Sequence, residues 1–209
     1  MVVVPERLAE ACRETPEGSA WLRRLPAAIA AFSERWSLTV GAPFDGDEVS
    51  ASWVAPARLG DGTAVVLKFG LTHLEAEHEI EGLRFWAGDP TVRLLEADEE
   101  LNAMLLERCE PGTALRSVPE PEQDVVIAGL LSRLWRHVTD PHPFRSLADL
   151  TASWSRETTA AADQWSDPGL VRAGLALFEE LPRSAPTAVL LATDLHAGTC
   201  SGRSVSHGS

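Results

Sequence analysis

The sequence predicts an α+β fold in two lobes, and three features of it point that way. Short runs rich in β-branched and aromatic residues recur between Leu38 and Leu106, separated by Gly, Pro and Asp-Gly turns. From Gln123 onward, apolar residues return at helical spacing instead. Between these halves lies Glu110-Pro111-Gly112, a break that suits a lobe boundary. Segregation of strands from helices is the mark of the α+β class.

Taken in order, the chain opens with two amphipathic stretches, Pro5 to Cys12 and Glu17 to Trp36. Trp21, Leu22, Leu25, Ile29 and Phe32 recur there at helical spacing. Strand candidates follow at Leu38–Val40, Ala51–Ala55 and Ala64–Phe69. Asp61-Gly62 between the last two is a strong hairpin signal, because that pair tolerates the positive φ of a tight turn. A helix is expected over Thr72–Ala87, with Leu74, His78, Leu83 and Trp86 on one side and Gly88-Asp89-Pro90 ending it. Two further strands are expected at Val92–Leu95 and Ala103–Leu106.

Past the break, helices are expected over Gln123–Val138, Leu147–Trp165 and Asp167–Leu181. Val126, Leu130, Leu134 and Trp135 share a face of the first; the last begins with Asp as N-cap and Pro at N1. Val189-Leu190-Leu191 reads as a buried strand leading into a polar loop. The organisation expected is therefore a lobe over residues 1–110, a partial helical lobe over 111–198 and a tail over 199–209 without apolar periodicity.

Composition narrows the function classes. The chain has 209 residues, 44% of them hydrophobic, and a mean hydropathy of -0.06, ordinary values for a chain that buries a core. No apolar run approaches the roughly 20 residues that cross a bilayer. Met1-Val2-Val3-Val4-Pro5 is too short for a signal peptide and lacks basic residues, so a cytoplasmic location is expected. Cys12, Cys109 and Cys200 are far apart and fit reduced thiols. A formal net charge of -13 argues against nucleic acid as a partner; it suits either a cationic ligand or simply a well-solvated surface. The oligomeric state stays open.

Two clusters carry chemistry. Lys68 closes the run Val65-Val66-Leu67-Lys68, and the helix after it carries Glu75, Glu77, Glu79 and Glu81. Read alone, Lys68 is either a solvated edge residue or a phosphate-holding ammonium. A strand lysine followed by a helix glutamate is the order in which kinase-like folds make their ion pair, and Glu79 is the partner expected. The remaining glutamates read as a solvated face. Near the end, Asp194-Leu195-His196 is either a polar loop or a catalytic one. In the second case Asp194 orients an acceptor hydroxyl and takes its proton, while His196 braces the loop.

Taken together, Lys68, Glu79-x-x-x-Leu83-Arg84-x-Trp86, Leu105-Leu106-Glu107, Pro111-Gly112-Thr113-Ala114-Leu115 and Asp194-Leu195-His196-Ala197-Gly198 resemble the aminoglycoside phosphotransferases. The branch they resemble is that of streptomycin 6-phosphotransferases and hydroxyurea kinases. The resemblance spans about residues 20–198. It implies a protein-kinase-like bilobal fold that uses ATP and Mg²⁺ to phosphorylate a hydroxyl of a small cationic, streptomycin-like substrate. Lys68 and Glu79 would then serve the phosphates, and the backbone at Glu107, Arg108 and Cys109 the adenine. Asp194 would be the base, and Phe44–Ser50 the loop covering the nucleotide, although that loop lacks a G-x-G-x-x-G pattern.

The chain also departs from that pattern. Where the family carries a metal-binding Asn, five residues after Asp194, this chain has Thr199. The family's second metal-binding Asp has no counterpart, since Asp194 is the last acidic residue of the sequence. The expectation from this is an incomplete second lobe with impaired activity, no protein-held metal, and an aberrant tail. One back-translation of Thr199–Ser209 with a single base restored reads NVLRAQREPW, so a one-base deletion is expected in the coding DNA. Two alternatives stand beside the enzyme: a non-catalytic nucleotide-binding remnant, and a kinase of another small molecule such as hydroxyurea.

Overall fold

The computed structural model describes residues 2–45, 51–71, 76–161, 164–185 and 187–203. The proposed nucleotide-covering stretch beyond Asp45, the first residues of the helix expected from Thr72, and the end of the tail lie outside them. Two compact units result: residues 1–134 with 192–209, and residues 135–191. The break read at Glu110-Pro111-Gly112 falls inside the first unit.

The first unit is built on a five-stranded antiparallel sheet in the order β1-β2-β3-β5-β4. Its strands are β1 (Thr39–Val40), β2 (Ser52–Arg58), β3 (Ala64–Gly70), β4 (Leu94–Asp98) and β5 (Ala103–Glu107). Alternation decides which residue faces which layer. On β3, Val65, Leu67 and Phe69 are buried on one face, while Val66 and Lys68 occupy the other. The first face packs under the two leading helices, α1 (Glu6–Arg13) and α2 (Pro16–Arg35), which contribute Leu8, Cys12, Leu25, Ile29 and Phe32. Phe32 meets Phe69 edge-on at 5.5 Å between ring centres, and the Trp53 Nε1–H donates to the Val3 carbonyl at 2.9 Å. Fully burying side chains of this kind stabilises by about 1.5–3 kcal/mol each.

The opposite face takes α3 (Glu79–Trp86), whose Ile80 and Leu83 pack on Met104 and Leu106. This helix is shorter than the periodicity suggests. Residues 76–78 form turns, and its first buried residue is Ile80, so the residues just before it bring no buried apolar side chain to hold a turn on the sheet. Glu79 and Glu81 in its first turn suit the positive end of the helix dipole. Ala87 at φ 51° and Gly88 at φ 85° end it with a left-handed turn.

Beyond β5, Pro111–Ala114 forms β6, followed by a 3-10 turn over Leu115–Ser117 and by α4 (Glu120–Leu134). The expected continuation of α4 to Val138 is not formed. β-Branched Val138-Thr139 and the prolines at 141 and 143 disfavour helix, and Trp135 just past its end is half exposed. The second unit contains α5 (Leu147–Ala160) and α6 (Pro168–Ser184). α5 stops before Trp165, and α6 is capped as expected, the Asp167 carboxylate accepting from the Gly169 and Leu170 amides. These two helices meet through Trp154 and Phe178, 6.0 Å apart. The strand read at Val189–Leu191 is likewise not formed. Leu190 N–H reaches the Arg136 carbonyl at 2.9 Å, but no ladder repeats that bond, and Leu191 is exposed.

Candidate active site

Lys68 stands on β3 between Val54 of β2 and Met104 of β5, on the face that α3 covers. Its Nζ donates to Oε1 of Glu79, the first residue of α3. Both side chains are largely shielded, 20% and 28% exposed, so water screens the pair only in part. Glu81 lies with Glu77, Glu99 and Asn102 around a hollow of about 120 Å³. Arg84 at the far end of α3 pairs with Glu99 at 2.6 Å, and its guanidinium holds the Glu99 carboxyl below the usual carboxylate range.

Glu107 ends β5 opposite Val65, three residues along β3 from Lys68. At ~3.3 Å per residue that is about 10 Å, comparable to the length of a nucleoside. The Glu107 carboxylate is committed to holding the strands, accepting from the Arg93 amide at 2.9 Å while the Glu107 amide donates to the Arg93 carbonyl. Arg108 is exposed and Cys109 half-buried in the turn that follows. Gly112 allows that turn: its φ is +70°, and a Cβ there would lie 2.8 Å from the Cys109 carbonyl oxygen.

The loop from Asp194 to Thr199 is held by its own side chains. The Asp194 carboxylate is 86% exposed, and the Nε2 of His196 lies 3.6 Å from its Oδ1. Gly198 N–H donates to His196 Nδ1 at 3.1 Å, so in the neutral ring the proton sits on Nε2, facing Asp194. The Thr199 hydroxyl oxygen accepts from the His196 amide at 3.1 Å and lies 3.1 Å from the Asp194 carbonyl and 3.0 Å from the His196 carbonyl. Cys200 beyond it is buried, and burial pushes its thiol up.

This loop is joined to the chain segment that follows Glu107–Cys109. Ser201–Arg203 forms β7, antiparallel to β6. Leu115 N–H donates to the Cys200 carbonyl at 2.9 Å, and Arg116 N–H to the Ala197 carbonyl at 3.2 Å. The three sequence-predicted groups thus belong to one unit: the Lys68–Glu79 pair, the Glu107–Cys109 turn and the Asp194 loop. Sequence reasoning missed the ladder that joins the last two. It also missed the triple engagement of Thr199, for which the spacing of a hydroxyl five residues past an aspartate was the one available signal.

Mg²⁺ requires near-octahedral oxygen ligation. Among the described residues no group of three His, Cys, Asp or Glu side chains could hold a metal, and the Thr199 hydroxyl is engaged by its own loop. The described residues build no all-protein cage for the ion, and a site completed by nucleotide phosphates needs only one or two carboxylates from the protein.

Comparison with known proteins sharpens the picture. The sequence profile of the family described as aminoglycoside/hydroxyurea antibiotic resistance kinase matches residues 35–201. The chain belongs to this family. It is 38% identical over 168 residues to a streptomycin 6-kinase of Streptomyces griseus, covering 79% of this chain and 54% of that protein. Against the streptomycin 6-kinase of Streptomyces glaucescens the identity is 38% over 172 residues, covering 80% of this chain and 55% of the relative. A hydroxyurea phosphotransferase of Kitasatospora aureofaciens is 34% identical over 187 residues, covering 87% of this chain and 54% of its own length. The chain spans about half the length of the curated relatives it matches. Lys68, Glu79, Glu107, Asp194, His196 and Thr199 all fall within the family match.

Proposed function

We propose that the chain has a protein-kinase-like fold and transfers the γ-phosphate of ATP to a hydroxyl of a small cationic antibiotic of the streptomycin type. The observation that carries this reading is the β6–β7 ladder with its two flanking backbone bonds. It fastens an exposed aspartate loop to the turn after β5, in the unit that also holds the shielded Lys68–Glu79 pair.

Phosphoryl transfer needs charge neutralisation and positioning more than covalent help. The Lys68 ammonium, oriented by Glu79, supplies positive charge to the phosphates, and the backbone at Glu107, Arg108 and Cys109 receives the adenine. Asp194 accepts the acceptor's hydroxyl proton as the new oxygen–phosphorus bond forms and the bond to the ADP oxygen breaks. His196 and Thr199 hold that carboxylate's loop. An excess of negative charge attracts a cationic acceptor. Magnesium would arrive on the nucleotide's phosphates, and no step is assigned to it. An ATP-dependent kinase of this kind would work in the cytoplasm, where ATP is supplied.

A second reading, a nucleotide-binding protein without turnover, is favoured by Thr199 standing five residues after Asp194 with its hydroxyl engaged within its own loop. Thermal melting with and without ATP, run beside a radiolabelled transfer assay, separates the two. A rise in Tm that Lys68→Met abolishes, together with label on streptomycin, supports the enzyme. The same rise without label on streptomycin or hydroxyurea supports the second reading. Absence of any nucleotide effect rejects both.

A further inference from the structure

We infer that Thr199 is the positioning residue of the Asp194 loop, a latch whose hydroxyl closes the loop by donating to one end and accepting from its middle. This rests on the reading of Asp194 as the base, but its geometry is independent of that reading. A hydroxyl has one proton and two lone pairs. The Thr199 oxygen accepts the His196 N–H at 3.1 Å, and its proton lies within reach of the Asp194 carbonyl at 3.1 Å and the His196 carbonyl at 3.0 Å.

The His196 carbonyl already receives the Thr199 amide at 3.1 Å. The Asp194 carbonyl has, among the described residues, only the Thr199 hydroxyl, so that is where the proton does most. Because the Asp194 side chain is 86% exposed, little packing fixes it, and its direction is set by the backbone that carries it together with the His196 Nε2, 3.6 Å from its Oδ1. A hydrogen bond to that backbone therefore holds the carboxylate's base in register with His196. Committing the hydroxyl inward also takes it away from any ligand.

Serine keeps the donor and acceptor; valine keeps the shape and loses both. Solvent-exchange NMR of the His196 amide in the full chain reads the latch directly. Thr199→Val should raise its exchange about tenfold, as expected for loss of one hydrogen bond. Thr199→Ser should stay within about twofold, and Tm should hardly change in either because the loop is exposed. In the transfer assay, Thr199→Val should lower kcat by about tenfold with KM for ATP held within twofold, and Ser should restore it. Unchanged His196 exchange in Thr199→Val overturns the latch. Raised exchange with unchanged kcat overturns the positioning role. If the native chain transfers nothing while the exchange pattern holds, the latch stands and the phosphotransferase reading fails.

Discussion

The Lys68–Glu79 pair offers a quantitative test of the site. Lys68→Met and Glu79→Gln, alone and combined, form a double-mutant cycle that isolates the coupling between the two side chains. Exposed ion pairs are worth about 0.2–1 kcal/mol. Removing one partner of a fully buried pair costs about 3–5 kcal/mol. With 20% and 28% exposure, this pair falls between those limits. Two unit charges at 4 Å attract by about 4 kcal/mol at the effective dielectric of a protein surface, and desolvation offsets about half of it, leaving a coupling of about 1.5–2 kcal/mol. For a chain of this size loss of that coupling alone corresponds to melting about 3–8 °C lower. Urea denaturation of the four proteins measures the coupling, and it should persist at high salt because the pair is shielded. A coupling below about 0.5 kcal/mol would mean that α3 does not present Glu79 to β3 in solution, and the reasoning fails.

Other consequences follow from single residues. Gly112→Ala places a Cβ 2.8 Å from the Cys109 carbonyl at a φ of +70°, so it should cost at least about 1–2 kcal/mol in denaturation and weaken ATP binding by disturbing the turn after β5. The Glu99 carboxyl, lowered by the hydrogen bond and charge of Arg84, should titrate by NMR below the usual glutamate range and return to it in Arg84→Ala. By linkage, its contribution to stability is fully present above the ordinary glutamate pKa and is lost as pH falls through the lowered one. α6 buries none of its described residues and exposes Leu170, Leu177 and Leu181, so Leu177→Lys with Leu181→Lys should reduce aggregation in light scattering while changing stability by less than about 1 kcal/mol.

The sheet was legible because its signals are local. Val65-Val66-Leu67-Lys68 alternates between two faces, Asp61-Gly62 fixes the hairpin to β2, and Asp167-Pro168 starts α6 with a cap that forms as written. The pairing of Lys68 with Glu79 follows from a strand lysine and a helix that packs on the same face of the sheet. What could not be read depends on partners remote in the chain. β6 and β7 are held by backbone bonds between Pro111–Ala114 and Ser201–Arg203, segments without apolar alternation that read as a break and a tail. Apolar Val189-Leu190-Leu191 looks like a strand, yet a strand needs a neighbour to complete its ladder, and among the described residues these form none beside the backbone bond of Leu190 to Arg136. α3 starts at Glu79 because Ile80 is, among the described residues of this segment, the first to bury itself against β5, a fact of packing that helical spacing did not reveal.

The central claim is tested most directly by incubating the chain with γ-labelled ATP and streptomycin and following label into the antibiotic, with Asp194→Asn alongside. Transfer by the native chain, reduced at least a hundredfold in Asp194→Asn with the ATP-induced rise in Tm retained, is the result predicted from the role of a positioned proton acceptor. Equal transfer by both proteins would contradict it, because phosphoryl transfer would then proceed without the carboxylate on which the site is built.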